Sequence, residues 1–185
     1  VLSENTAEVV GVAEYFGGIE PPIDFCGTEV VIPSEISHDG QTYTIVGIGS
    51  YAFYDRQELR SVEIPGTVQY VGARAFDFCL KLKTIKLPDG VNRIGKMAFR
   101  SCVELTTVEL GSGLTGLYYD AFDDCRGLAT LVCHAPTPPE ILVDVPNPSF
   151  LWNCPINEIK VPAESVEAYK TAYLWNELSD RIVAL

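Results

Sequence analysis

The chain has 185 residues, 47% of them hydrophobic, with 25 acidic and 13 basic side chains. This is the length of one domain with enough apolar content for a real core. The formal net charge of −12 argues against nucleic acid and anionic membrane surfaces as partners, and no apolar run approaches the ~18–20 residues of a membrane span.

The charge is uneven. No Lys or Arg precedes Arg56, whereas nine acids do, and seven of the thirteen basic residues lie between Arg74 and Arg100. The start, Val1-Leu2-Ser3-Glu4, lacks the basic and apolar regions of a signal peptide, so a mature or trimmed chain is expected. Residues 1–28 fit no repeat. Weak strand character over Val9 to Tyr15 is broken at Pro21-Pro22, and the segment is expected to form an amino-terminal cap.

Val30, Ile32, Pro33 and Ile36 begin a half-unit. Asp39-Gly40 then sits between Ser37-His38 and Gln41-Thr42-Tyr43-Thr44. An Asp-Gly pair at that place predicts a two-residue hairpin turn, so residues 36–45 are expected to project as an insertion.

From residue 45 to 133 the chain repeats. Ala52-Phe53, Ala75-Phe76, Ala98-Phe99 and Ala121-Phe122 follow one another at intervals of 23 residues. Other columns keep the same period: Leu59, Leu82, Leu105, Leu128; Val62, Ile85, Val108, Leu131; Val68, Val91, Leu114; Val71, Ile94, Leu117; and Cys79, Cys102, Cys125. A fixed period of this size marks a solenoid whose coils bury their apolar faces against each other. Val62-Glu63-Ile64, Ile85-Lys86-Leu87 and Val108-Glu109-Leu110 alternate with period two, which predicts a strand with one face in the core. Pro65, Pro88 and Gly111 end these strands. The Ala-Phe segment is too short for more than one or two helical turns. Six parallel strands are expected along one face, near residues 30–32, 62–64, 85–87, 108–110, 131–133 and 159–161.

The run Ala75-Phe76-Asp77-Phe78-Cys79-Leu80-Lys81-Leu82-Lys83-Thr84-Ile85-Lys86-Leu87-Pro88, closed by Val91-Asn92-Arg93-Ile94-Gly95, resembles the BspA-like leucine-rich repeat family of bacterial surface proteins. The resemblance covers roughly residues 30 to 165. It implies a leucine-rich-repeat solenoid of 23-residue units, with parallel strands on one face, short helical turns and a cap at each end. It further implies binding of other macromolecules outside the cell or at the bacterial surface, and it carries no catalytic motif.

After Cys133 the stretch His134-Ala135-Pro136-Thr137-Pro138-Pro139 is expected to be extended. An imperfect unit comes next. With Phe150 in the Phe position, Ile156, Ile159, Val161 and Pro162 fall at their expected offsets, and Cys154 comes one place late. The solenoid is thus assigned to residues 29–162, and residues 163–185 to a helical cap with Val166, Tyr169 and Tyr173 on one face.

The polar residues offer little chemistry. Cys79, Cys102 and Cys125 share an inward column, and their spacing matches no zinc motif, so buried free thiols are expected there and at Cys133. A disulfide at Cys26 or Cys154 stays open, as an extracellular setting allows it. His38 and His134 fall in loop positions with no triad or metal spacing around them. Asp120, Asp123 and Asp124 do not form a calcium loop pattern. No cofactor, metal or catalytic constellation is indicated, and the chain is read as non-enzymatic.

Binding is therefore the expected role, with a protein as partner: a host, matrix or other surface protein. Glu63, Lys86 and Glu109 form one outward row and Glu58, Lys81 and Glu104 another, so their charges are expected to neutralise each other. That leaves Ser61, Thr84, Thr107 and Thr130, with Arg60 and Lys83 beside them, as the partner-binding face. The alternative is a carbohydrate-binding surface built from Tyr118, Tyr119 and Trp152. More simply, the aromatics near the carboxy-terminal end, Trp152, Tyr169, Tyr173 and Trp175, close the open core.

Overall fold

The computed structural model describes residues 6–9, 27–146, 148 and 150–185. In chain order the first strands are β1 (Thr6–Val9), β2 (Glu29–Val31), β3 (Glu35–His38), β4 (Gln41–Ile48), β5 (Ser61–Glu63), β6 (Tyr70–Val71) and β7 (Thr84–Lys86). Then come β8 (Arg93–Ile94), β9 (Thr107–Leu110), β10 (Gly116–Tyr118), β11 (Thr130–Cys133), β12 (Glu140–Leu142) and β13 (Glu158–Val161). A 3₁₀ turn (Ala163–Ser165), helix α1 (Val166–Thr171), a second 3₁₀ segment (Trp175–Arg181) and β14 (Ile182–Ala184) complete the chain.

Each coil contributes strands to two sheets. On the first side β7, β9, β11, β13 and β14 pair in parallel. The parallel pair β2–β5 lies beside them, tied by the Lys83 N–H donating to the Arg60 carbonyl at 3.4 Å. The six expected strands are thus present, and β14 adds a seventh that the sequence did not signal. The second sheet runs β1-β4-β6-β8-β10-β12, all parallel, with β3 added antiparallel on β4. Its central members are two or three residues long. Strands that short give no readable alternation, so the sequence showed only an extended stretch there.

The third side of each coil is a turn segment, and its backbone also bonds from coil to coil. The N–H groups of Phe53, Phe76 and Phe99 donate to the carbonyls of Ala75, Ala98 and Ala121, each at 2.7 Å. All three sides are therefore laddered, and this is why the 23-residue period is kept so strictly. Glycine is required where these ladders turn: a Cβ on Gly95 would stand 2.6 Å from the Ala73 nitrogen.

Inside, the phenyl rings of Phe53, Phe76, Phe99 and Phe122 stack with centroids 4.9, 5.0 and 5.2 Å apart and planes within 4–6°. That separation is close to the strand spacing of ~4.8 Å, so the rings repeat because the coils do. Each stacked pair adds ~0.5–1.5 kcal/mol to the burial itself. The Leu column and the central strand column, Val62 to Ile159, are buried beside them.

The hairpin is present. β3 and β4 pair antiparallel across Asp39 and Gly40, whose φ values of 51° and 76° are those of a type I′ turn. Its residues stay largely exposed. β1 docks on β4, where the Tyr70 hydroxyl donates to the Glu8 carboxylate at 2.5 Å. Most of the expected amino-terminal cap, and Cys26, lie outside the described residues.

The carboxy-terminal end departs from expectation in three ways. First, Leu151, not Phe150, takes the fifth Phe position. Cys154 N–H bonds the Leu151 carbonyl as Cys125 N–H bonds that of Phe122, and Asp124 N–H reaches Trp152. Phe150 turns instead against Trp175, with ring centroids 5.0 Å apart. Second, α1 is only six residues long and ends at Thr171, with Ala172 extended. Tyr173 is 62% exposed and shares no face with the fully buried Tyr169. Third, the cap is not only helical, because β14 returns to the first sheet.

Trp175 explains the short helix. Its ring is fully buried and its Nε1–H donates to the Pro139 carbonyl at 2.9 Å. Reaching that place requires the chain to turn sharply, and Leu174 does so at φ 64°.

Candidate functional site

The strand face presents two outward columns. Thr84, Thr107, Thr130 and Glu158 are in register in one; Lys86, Glu109, Val132 and Lys160 are in register in the other. Between them the central column of Ile85, Val108, Leu131 and Ile159 points inward and is at most 2% exposed. Ser61 holds the same place in β5, with Glu29 of β2 beside it. Arg60 and Lys83 sit one residue ahead of their strands and are exposed. Thr84 is exposed, while Ser61, Thr107 and Thr130 are half-buried between neighbours. The residues singled out from the sequence thus fall on one continuous strip.

The charge rows are only partly closed. Lys86 Nζ meets Glu109 Oε1 at 2.7 Å, and Lys81 Nζ meets Glu58 Oε2 at 2.7 Å. Glu109 also accepts from His134 Nε2 at 3.1 Å, so His134 belongs to this row and is not a free loop residue. Lys86 first, with His134 assisting, holds the Glu109 carboxyl below its usual range. Such exposed pairs contribute little to stability; their effect is to leave this strip of the face without a strong field of one sign.

The thiol column extends beyond the sequence pattern. Cys79, Cys102 and Cys125 are buried and free, each donating to the Phe carbonyl of the preceding coil at 3.1–3.2 Å. Cys154 does the same to Phe122 at 3.1 Å. It therefore joins the column despite its apparent offset, as a free thiol and not in a disulfide. Burial pushes the Cys79 thiol up to about 12 and raises Cys102, Cys125 and Cys133 as well. Neutral buried thiols are poor nucleophiles and poor metal ligands. Cys133 pairs with the Tyr169 hydroxyl at 3.2 Å, which ties the last full coil to the cap.

The residues of the alternative aromatic patch lie on two sides of the coil. Tyr118 and Tyr119 are half-buried at the end of β10, where Tyr119 N–H donates to the Leu142 carbonyl. Trp152 lies on the turn side, 55% exposed.

The turn side also holds two buried carboxylates, Asp77 and Asp120, and the half-buried Asp123. Asp77 is fully buried and receives Arg74 Nη1 at 2.8 Å and Arg100 Nε at 3.0 Å. Burial still raises its carboxyl above the usual range. Asp123 accepts the Trp152 N–H at 3.2 Å; burial first, and the neighbouring Asp120 next, push it up to about 7. Asp120 accepts the Met97 N–H, while its second oxygen is buried without a partner. Among the described residues no group of three or more His, Cys, Asp or Glu side chains is placed to hold a metal ion.

Two parallel sheets closed by a laddered turn side, with repeated Leu, Phe and Cys columns, define a leucine-rich-repeat solenoid. The family model described as BspA type Leucine rich repeat region matches residues 46–179 in 6 copies, and the chain belongs to that family. Among solved structures it is similar to the leucine rich repeat protein TpLRR of T. pallidum, at 28% identity and a TM-score of 0.62, over 86% of this chain and 69% of that one. It is also similar to a leucine-rich repeat protein from Bacteroides capillosus, at 24% identity and a TM-score of 0.56, over 72% of this chain and 91% of that one. The pneumococcal vaccine antigen PcpA shares the fold at 17% identity and a TM-score of 0.58, over 89% of this chain and 47% of that one. No curated protein matches the chain.

Proposed function

We propose that this chain is a non-enzymatic extracellular or bacterial cell-surface binding module that recognises a protein through its strand face. The observation that carries the reading is the division of labour in the first sheet. Its inward column is buried without exception, while its outward columns, Ser61-Thr84-Thr107-Thr130 with Arg60 and Lys83 alongside, are free to vary without touching the core. Backbone ladders on all three sides hold that face rigid, so a partner loses little affinity to ordering it.

The test is capture of the chain by immobilised host and matrix proteins, with Thr84→Arg and Thr107→Arg combined. The double variant is expected to lose capture while its Tm stays near that of the parent. Capture that survives the change places the protein-binding surface elsewhere.

A further inference from the structure

The chain holds two Asp-Gly pairs, Asp39-Gly40 and Asp89-Gly90, and the fold puts them in opposite surroundings. In an Asp-Gly pair the side-chain carboxyl reaches the next main-chain nitrogen most readily, because glycine has no Cβ to shield it. We infer that Asp39-Gly40 is a site of spontaneous covalent modification, closing to a succinimide and reopening to an isoaspartyl linkage, and that the stacked coils withhold the same chemistry from Asp89-Gly90.

The step balances with solvent water alone. The Gly40 nitrogen attacks the side-chain carbonyl carbon of Asp39 in its protonated form. A C–N bond forms, and the carboxyl hydroxyl leaves as water with the proton from that nitrogen. A second water then adds to the main-chain carbonyl of Asp39 and breaks its bond to the Gly40 nitrogen. The chain now runs through the side-chain carbon, and the former main-chain carbonyl is a free carboxylate. The composition is restored, nothing is oxidised or reduced, and the main chain is one carbon longer.

Two conditions govern the rate: a backbone able to rotate the nitrogen over the carboxyl, and a carboxyl free to take up a proton. The hairpin meets both. Residues 37–42 are exposed, and the Asp39 side chain is 89% exposed. A Cβ built on Gly40 would meet no atom of the described residues within 4 Å. The Asp39 carboxylate lies 3.5 Å from His38 Nε2, and a contact between two exposed side chains restrains it weakly. The turn hangs from the β3–β4 ladder, whose last pair is His38 with Gln41.

Asp89-Gly90 is exposed as well, so exposure does not separate the two pairs. Clamping does. Asp89 Oδ1 accepts the Ser112 N–H at 2.7 Å. That N–H first, and the Ser112 hydroxyl next, hold the carboxyl below its usual range and so keep it ionised. The backbone is gripped from both sides. A Cβ on Gly90 would stand 2.8 Å from the Gly66 carbonyl oxygen of the preceding coil, and one on Gly113 of the following coil 2.1 Å from the Asp89 carbonyl oxygen. The Val91 N–H closes the turn on the Pro88 carbonyl at 3.0 Å. Rotating this peptide unit means parting three coils.

The modification has a local consequence. A two-residue turn sets the hairpin register, and an extra main-chain carbon no longer fits the pairing of His38 with Gln41. The core columns lie elsewhere, so the solenoid is expected to keep its Tm.

The test is ageing of the parent chain in heavy-oxygen water at mildly acidic pH, both folded and in denaturant. Isoaspartate is then mapped by mass spectrometry and by isoaspartyl methyltransferase labelling. The folded chain is expected to gain isoaspartate carrying heavy oxygen at residue 39, about tenfold above residue 89. In denaturant the two sites should differ by no more than about twofold. Asp39→Asn, whose amide leaves as ammonia, should form the product about tenfold faster, and Asp39→Ser should form none there. Amide exchange at the hairpin tip should quicken in the aged chain. Equal accumulation at the two sites of the folded chain, product at residue 89 alone, or a residue 39 that reacts only in denaturant or not at all would each overturn the inference.

Discussion

The coils from Phe53 to Phe122 and the end from His134 to Leu185 solve one problem by different means. In the regular coils the buried apolar columns repeat, so each Phe, Leu and Cys meets a copy of itself one coil away. At the end no copy is present. There Phe150, Tyr169 and Trp175 meet edge to face at 5.0–5.1 Å in place of a stack. The Tyr169 hydroxyl and the Trp175 N–H donate to carbonyls of the Pro-rich loop, at Ala135 and Pro139. A repeat can supply its own packing partner, but its last coil must be closed by residues that both fill volume and satisfy a loop backbone. Tyr and Trp do both.

The strongest way to break this comparison is to remove the end. Deleting residues 163–185 exposes Ile159 and Val161 and leaves the outer edge of β13 without β14, so the truncated chain is expected to aggregate or unfold. A truncated chain that stays monomeric with unchanged Tm would show that the regular coils stand alone.

Next in size is a paired test. Phe99→Ala opens a cavity between two stacked rings, and Trp175→Ala opens one in the cap; each should cost ~3–5 kcal/mol in denaturant unfolding. Equal losses would make the cap part of one cooperative core. A loss at Trp175 well below that at Phe99 would make it a loosely attached cover.

A smaller effect is tied to pH. The Asp123 carboxyl is raised from 3.8 to about 7 in the folded chain, chiefly by burial. Its protonated form is thus favoured by folding. The stability it contributes is full below about 4 and is lost as pH rises through about 7. Asp123→Asn should flatten the part of the Tm–pH curve that falls between about 4 and 7. The carboxyls of Glu109 and Asp124 are lowered, first by Lys86 and Arg126 respectively. These act in the opposite sense, losing their contribution only below the ordinary carboxylate range. An unchanged slope in Asp123→Asn would show that the carboxylate is ionised in the fold.

The smallest effect concerns the thiols. Cys79, Cys102, Cys125 and Cys133 should react with a thiol reagent only in denaturant. Cys154, at the partly exposed end of the same column, should react slowly in the native chain. Fast reaction of Cys102 would show that the coils open without unfolding.

The sequence by itself determined the repeat, its register over four coils, the inward columns, six of the seven strands on the first side and the Asp39-Gly40 hairpin. Each is a local pattern repeated at a fixed interval, and repetition in register can be counted. What it could not determine is what only a neighbour in space decides. The second sheet was hidden because strands of two or three residues have no period of their own and exist only by bonding to the next coil. Leu151 rather than Phe150 took the fifth Phe position because the coil-to-coil backbone bonds set the register, while Trp175 drew Phe150 to the cap.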